Sequence, residues 1–336
     1  MIAEQSTELP PPTAPDLIDV RLIGFDDEEY AKGIGNNVAE TIRLLSRYID
    51  AEYLDGITIS FDYPKALLEL DRGDNSLNKL TPTCDDLSVG IAMSPAVLRG
   101  AKVKVHIVLN ACIVCKIVSN DEDEIRTTVN LLAHELGHVQ DIKFRNIAFP
   151  ETILRETIKN SRAGFLYHIA EACWCEYAAT RVSASIHPRQ IVHYEELFIT
   201  NFQLGASTIN KEILSYRTHG NIDALLTISV KILGNILKYA SYMLGQINGV
   251  NGIFSDLAPE AHRTITDTKF ESIFRKLEQS LIDMHKSYGS WTDMSIWDNL
   301  SEVSGEYLCQ SGIILKDTSA GKLYVEVPYT PGTMPY

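Results

Sequence analysis

The chain has 336 residues, 45% of them hydrophobic and 22% charged, which is enough apolar material for one large domain or two modest ones with a real core. Its net charge is −14 and it carries no basic stripe, so binding of nucleic acid through phosphates is not expected. Its most apolar region, 224–247, is interrupted by Lys231 and Lys238 and falls short of the ~18 uninterrupted apolar residues a membrane span needs, so no membrane partner is expected.

Residues 1–17, MIAEQSTELPPPTAPDL, combine acidic residues with a proline run and lack the apolar stretch of a secretory leader. A disordered tail is expected there. Without such a leader, the six cysteines are expected to be reduced thiols in the cytoplasm. From 28 to 49, Ile34, Val38, Ile42, Leu45 and Ile49 recur at spacings of three and four, one apolar face of a helix. In DGITISFDYP, Ile57, Ile59 and Phe61 alternate with Thr58, Ser60 and Asp62 until Pro64, the pattern of a half-buried strand. Residues 71–86 are rich in Asp, Asn, Gly and Thr and read as a loop. SVGIAMS and KVKVHIVLNACIVCKIV follow as strand-like segments.

The second of these segments contains Cys112 and Cys115 as C-x-x-C, with no flanking βαβ pattern, and Cys173 and Cys175 later form C-x-C. Buried, apolar cysteine is the expected role for all four, with a four-thiolate zinc site as the alternative. Ser119 and Glu122 are spaced as a capping box, and acidic residues 121–124 suit the positive end of a helix dipole. Ile125, Val129, Leu132 and Leu136 then continue as a helical stripe. After Pro150 the pattern is helical: 151–186, 189–216, 221–247, 259–287 and 294–312, before a last strand in KLYVEVPY. Strands and helices are segregated, so the expected fold class is α+β.

The helix over 122–148 contains NLLAHELGHVQDIKF. Residues four apart share one helical face, so His134 and His138 can direct both imidazoles at one ion. Glu135 is rotated by roughly 100° from His134, which makes it a general base for a water activated by the metal and not a ligand. Catalytic zinc takes three protein ligands, and the third must come from another element. Glu176 lies among Ala172, Cys173, Cys175, Ala178 and Ala179, an apolar surround in which a carboxylate needs a partner. Glu171, on another part of the same helix, and Asp141, one turn after His138, are the alternatives, with Asp141 better suited to hold an imidazole N–H. Two exposed histidines on a surface helix would be the plain alternative to a metal site.

HELGH followed by EACWCEYAATRVSA resembles the zincin metallopeptidases of the gluzincin type, in which a second helix carries the third ligand in an E-x-x-A-D-R-like stretch. The extended metzincin pattern is absent, because Asp141 and Phe144 stand where glycine and histidine are required. The resemblance covers about residues 100–185. It implies a zincin-like small mixed sheet with an active-site helix over 18–187; the mostly helical C-terminal lobe expected over 188–336 rests on apolar periodicity alone. It further implies one zinc ion per chain on His134, His138 and Glu176, with Glu135 as the base. It implies hydrolysis of a protein or peptide substrate, for which one specific regulatory protein is as consistent as broad digestion. Thr180 stands where many members have aspartate. By the same resemblance, the strand Lys102–Asn110 borders the cleft and pairs with an extended substrate. Tyr177, His168, His187, His193, Tyr194, Tyr216 and His219 are the candidates for stabilising an oxyanion. The competing reading is a non-catalytic zinc-binding interaction protein on the same scaffold.

Overall fold

In the computed structural model, residues 9–82, 90–150, 152–154, 162–331 and 333–334 are described. The chain is mixed α and β and divides into two compact units, 1–154 and 155–336. The division falls earlier than the 187/188 boundary expected from sequence, because the helix over 162–183 packs against later helices of its own unit.

The first unit runs β1 (Val20–Ile23), α1 (Glu28–Leu45), β2 (Leu54–Ser60), α2 (Tyr63–Leu68), β3 (Ala92–Met93), β4 (Ala96–Arg99), β5 (Lys102–Asn110), α3 (Ala111–Val114), a 3-10 turn at Cys115–Val118, and α4 (Glu122–Ala148). β1, β2 and β5 are parallel neighbours in that order, and β3 and β4 pair antiparallel along the far side of β5. Val103 packs with Ile142 of α4 on one face of the sheet, and Val108 packs with Tyr63, Ala66 and Leu67 of α2 on the other.

Covered on both faces, the interior strands show continuous burial where sequence alternation predicted a solvent face. Every residue of β2 from Gly56 to Ser60 is buried. The hydroxyl of Thr58 survives there because it contacts His106 Nε2 at 2.9 Å. Nδ1 of the same ring lies 3.0 Å from Asp55 Oδ2. Arg99 holds that carboxylate bidentately through Nε at 2.8 Å and Nη2 at 2.7 Å, a geometry only guanidinium supplies.

Several expectations are corrected by local hydrogen bonding. The apolar run does not continue as strand past Asn110, whose side chain accepts from Cys112 N at 2.9 Å and turns the chain into α3. The cap of α4 is Asp121, accepting from Asp123 N at 2.8 Å. Ser119 donates to the Glu124 carboxylate at 2.7 Å, so the expected capping box with Glu122 does not form. The expected tail is anchored from Pro10 onward: Arg47 donates to Pro10 O, Arg43 to Asp16 O, and Thr13 N to Ser46 O. Residues 1–8 lie outside the described residues, as do 83–86 of the expected loop and 88–89 of the expected strand-like segment SVGIAMS.

The second unit contains α5 (Arg162–Ser183), α6 (Gln190–His219), α7 (Ile222–Gly249), α8 (Phe254–Leu257), α9 (Pro259–Ile265), α10 (Phe270–Lys286), a 3-10 turn at Met294–Trp297, α11 (Asp298–Gln310), and a hairpin of β6 (Ile314–Asp317) and β7 (Leu323–Glu326). The helix expected over 259–287 is broken, with Asp267 at φ +62° between α9 and α10. The strand expected in KLYVEVPY pairs with β6, which periodicity did not reveal. α5 packs along α7 at close range. A Cβ at Gly245 would lie 2.7 Å from Tyr177 O and 3.0 Å from Thr180 Cβ. Gln246 then donates to Ala184 O at 3.0 Å, tying down the end of α5. No helix among the described residues is long and apolar enough to cross a membrane.

Two outcomes follow. Burial raises the Asp55 carboxyl, but its hydrogen bonds to Arg99 and His106 outweigh this and hold it below the usual carboxylate range. Burial is the largest influence on His106 and lowers it, against the opposing pull of Asp55. Both groups therefore bind protons more weakly folded than unfolded. Each adds stability above its unfolded pKa and loses it on acidification, His106 from about pH 6.5 downward and Asp55 from about pH 4 downward. Urea unfolding of the wild type should show stability falling over that window, with a shallower fall below about pH 4 in Asp55→Asn, and a flat profile would contradict the assignment. Gly245→Ala forces α5 and α7 apart and should cost about 1–3 kcal/mol, read as a lowered thermal midpoint.

Candidate metal centre

The middle of α4 is buried all round. Leu132, Ala133, His134, Glu135, Leu136 and Gly137 are consecutive buried residues, and His138 is half-buried. A surface helix with two exposed histidines does not have this profile. Three polar side chains in such a stretch need partners, since an unpaired buried polar group costs roughly 1–3 kcal/mol.

The helical pitch brings the two imidazoles together. His134 Nε2 and His138 Nε2 lie 3.1 Å apart, with the rings at 86° to one another. Two nitrogens on one tetrahedral zinc, at about 2.0–2.1 Å each, are separated by about 3.3 Å. The pair therefore already has nearly the spacing that a shared ion imposes. Glu135 sits beside this pair. Its Oε2 accepts a 2.6 Å hydrogen bond from the hydroxyl of Ser94, immediately after β3. Tyr63 at the start of α2 is buried, which raises its phenol above the usual range, and the negative charge of Glu135 raises it further. The Tyr63 hydroxyl has no hydrogen-bond partner among the described residues. Sequence reasoning missed both Ser94 and Tyr63, since neither falls in a recognisable spacing relative to the histidines.

On α5, Glu176 is half-buried. Its neighbour Cys173 is fully buried, and that burial pushes the thiol up to about 12. Among the described residues, one group of His, Cys, Asp and Glu side chains can hold a metal ion. It consists of His134, His138 and Glu176, whose ligand atoms all lie within 4.8 Å of one another. Two imidazoles and a carboxylate are a donor set suited to catalytic zinc. The four-thiolate alternative is not formed among these residues.

The competing carboxylates are engaged elsewhere. Glu171 lies 3.9 Å from His168 Nδ1 on the surface of α5. Asp141 is buried and faces Arg145 at 3.6 Å. Thr180, where the gluzincin pattern has aspartate, is fully buried and packs at Gly245. Of the oxyanion candidates, Tyr177 is fully buried and accepts from Arg181 at 2.6 Å and Asn248 at 3.2 Å. Tyr194 is buried and stacks on Tyr242, and Tyr216 contacts His219 along α6. His187 is buried beyond the end of α5, and His193 lies on α6 beside Tyr194. The strand expected to receive substrate, Lys102–Asn110, is an interior strand with β2 on one side and β3 and β4 on the other. Its backbone is already paired, and it cannot accept another strand.

Comparison with protein families, with curated proteins and with solved structures returns no match.

Elemental analysis of the purified chain should find about one zinc per wild-type molecule, a marked loss in His134→Ala and in Glu176→Ala, and retention in Glu171→Ala. Equal metal content in all four proteins would remove these residues from the ligand set.

Proposed function

We propose that the protein is a zinc-dependent metallopeptidase that hydrolyses a protein or peptide, with His134, His138 and Glu176 holding the ion and Glu135 acting as general base. The observation carrying this reading is the one such group among the described residues, two imidazoles and one carboxylate, with a second carboxylate next along the helix held by Ser94. Bound zinc supplies Lewis acidity, lowering the pKa of a water toward ~7 and polarising a carbonyl.

The chain's own residues do the remaining work. Glu135 takes a proton from the attacking water and delivers it to the departing amine, a role for which one carboxylate serves both steps. The Ser94 hydroxyl fixes the Glu135 carboxylate against rotation, so that one oxygen is anchored and the other is left for proton transfer. The rail for an extended substrate moves from the interior β5 to residues 92–99. There β3 and β4 pair only with β5 among the described residues, and an outer strand edge offers its backbone groups to a peptide.

Glu135→Gln keeps the shape of the side chain and removes its basicity. It should retain zinc at the wild-type level while losing cleavage of a panel of denatured proteins by at least ~10²-fold. A variant as active as wild type would overturn Glu135 as the base. Zinc at full occupancy with no cleavage by the wild type would replace the peptidase reading with a zinc-binding interaction protein.

A further inference from the structure

The outer edge over residues 92–99 is closed at one end and open at the other. In an antiparallel ladder, alternate residues turn their backbone groups toward the partner strand and the rest turn away from it. Ile91 O accepts from Asn110 N at 2.9 Å and Pro95 O from His106 N at 3.0 Å. Residues 91, 93 and 95 therefore face β5, and Ala92, Ser94, Ala96 and Leu98 turn outward. The last two are already engaged. Leu98 N donates to Arg72 O at 2.9 Å, and Arg72 Nε and Nη2 both donate to Ala96 O at 3.3 Å. Gly73, at φ +76°, lies so close that a Cβ there would collide with Leu98 O. The outward backbone groups of Ala92 and Ser94 have no partner among the described residues, and Ser94 is the residue whose hydroxyl holds Glu135.

Arg72 closes this open stretch with an uncompensated charge. It is half-buried, and its third contact, from Nη1, is to Asn78 O at 3.2 Å. All three contacts are to neutral carbonyl oxygens. A guanidinium carries five N–H groups, so one on each Nη remains. Asp71 and Asp74 accept from Gly73 N and Ser76 N, and no carboxylate among the described residues pairs with Arg72. Arg99, at the end of β4, is by contrast paired with Asp55. A half-buried cation without a counter-ion favours an anionic ligand.

We propose that Arg72 receives the C-terminal carboxylate of the substrate, so that the site trims one or two residues from the end of a peptide; this rests on the peptidase reading above. A peptide paired with Ala92 and Ser94 finds no further backbone partner at Ala96 and Leu98, so its chain ends there. A terminal carboxylate meets the guanidinium at that point, whereas a terminal ammonium would meet like charge. The bound peptide therefore runs in the same direction as β3. Ser94 is two residues from Ala96, roughly 7 Å along a strand, which leaves room for about one or two residues between the cleaved bond and the terminus. Water adds its oxygen and one hydrogen to the carbonyl carbon, the C–N bond breaks, and the other hydrogen goes to the leaving amine. The products are a shortened peptide and a free amino acid or dipeptide.

The test uses the zinc-loaded full chain and randomised octapeptides with an N-terminal fluorescein, made once as C-terminal acids and once as amides. Binding is read by fluorescence anisotropy on Glu135→Gln, and products by mass spectrometry on the wild type. The acids should bind about tenfold more tightly than the amides. Adding Arg72→Gln should close that gap, and Arg72→Lys, which keeps the charge and loses the fork, should close it in part. Circular dichroism and zinc content check that these variants are folded and loaded. The wild type should release one or two C-terminal residues from the acids and leave the amides intact. Equal binding of acids and amides, binding of neither, or a gap that survives Arg72→Gln would overturn the proposal. So would amides ending in aspartate that bind as well as the acids. Internal cleavage of both sets would remove Arg72 as the carboxylate site and leave the peptidase reading standing. Binding of acids that depends on Arg72, with no cleavage by the wild type, would keep the carboxylate site and remove the peptidase reading.

Discussion

An α-helix returns to the same face after four residues, and the account of this protein depends on that pitch being expressed in a buried stretch of α4. The result is a pair of imidazole nitrogens 3.1 Å apart, a separation that two neutral rings reach only by sharing a proton or an ion. Residues 132–137 are buried while His138 is half-buried, so water has little access to most of the stretch. Each polar group in the stretch must then be answered by the protein or by a ligand. Glu135 is answered by Ser94, and the two histidines together with Glu176 form the one group among the described residues that could hold a metal ion.

What was legible in the sequence was local. The histidine helix follows from three- and four-residue spacings and from an i, i+4 pair, none of which needs a distant partner. The ends of α6 and α7 are local in the same way. Gly220 at φ +69° stops the first, and Asn221 accepts from Ala224 N to start the second. Tertiary pairing was not legible. Thr58 and Ser60 alternate with isoleucines as solvent-facing residues would, and they are buried because the sheet is covered on both faces. β5 resembles an edge strand until β3, only two residues long, and β4 are seen to pair with it. Asn110 stops a run that hydrophobicity alone would continue, through one side-chain hydrogen bond to Cys112 N. Ser94 reaches Glu135 across 41 residues of sequence, and no periodicity encodes that.

The small residues around Glu176 illustrate a partial reading. Their composition marks a helix face in close packing, and α5 does pack closely. A Cβ at Gly245 or Gly249 of α7 would meet the α5 backbone at 2.7 Å and 2.5 Å. Which residue of that face meets α7 and which looks elsewhere cannot be read from composition. Thr180 is small because Gly245 lies against it, and that packing accounts for the residue without reference to the aspartate of the gluzincin pattern. The cysteines divide in the same manner. Cys173 is held as a buried thiol, while Cys112 stands on an exposed turn, although both pairs lie in apolar sequence.

The most direct test of the central claim is an anomalous difference map at the zinc absorption edge, from crystals of the wild-type chain grown without chelator. The account predicts one peak per chain at about 2.0–2.1 Å from His134 Nε2 and His138 Nε2 and within about 2.2 Å of a Glu176 carboxylate oxygen. A map with no peak among those three side chains, or with its strongest peak on other ligands, would contradict it.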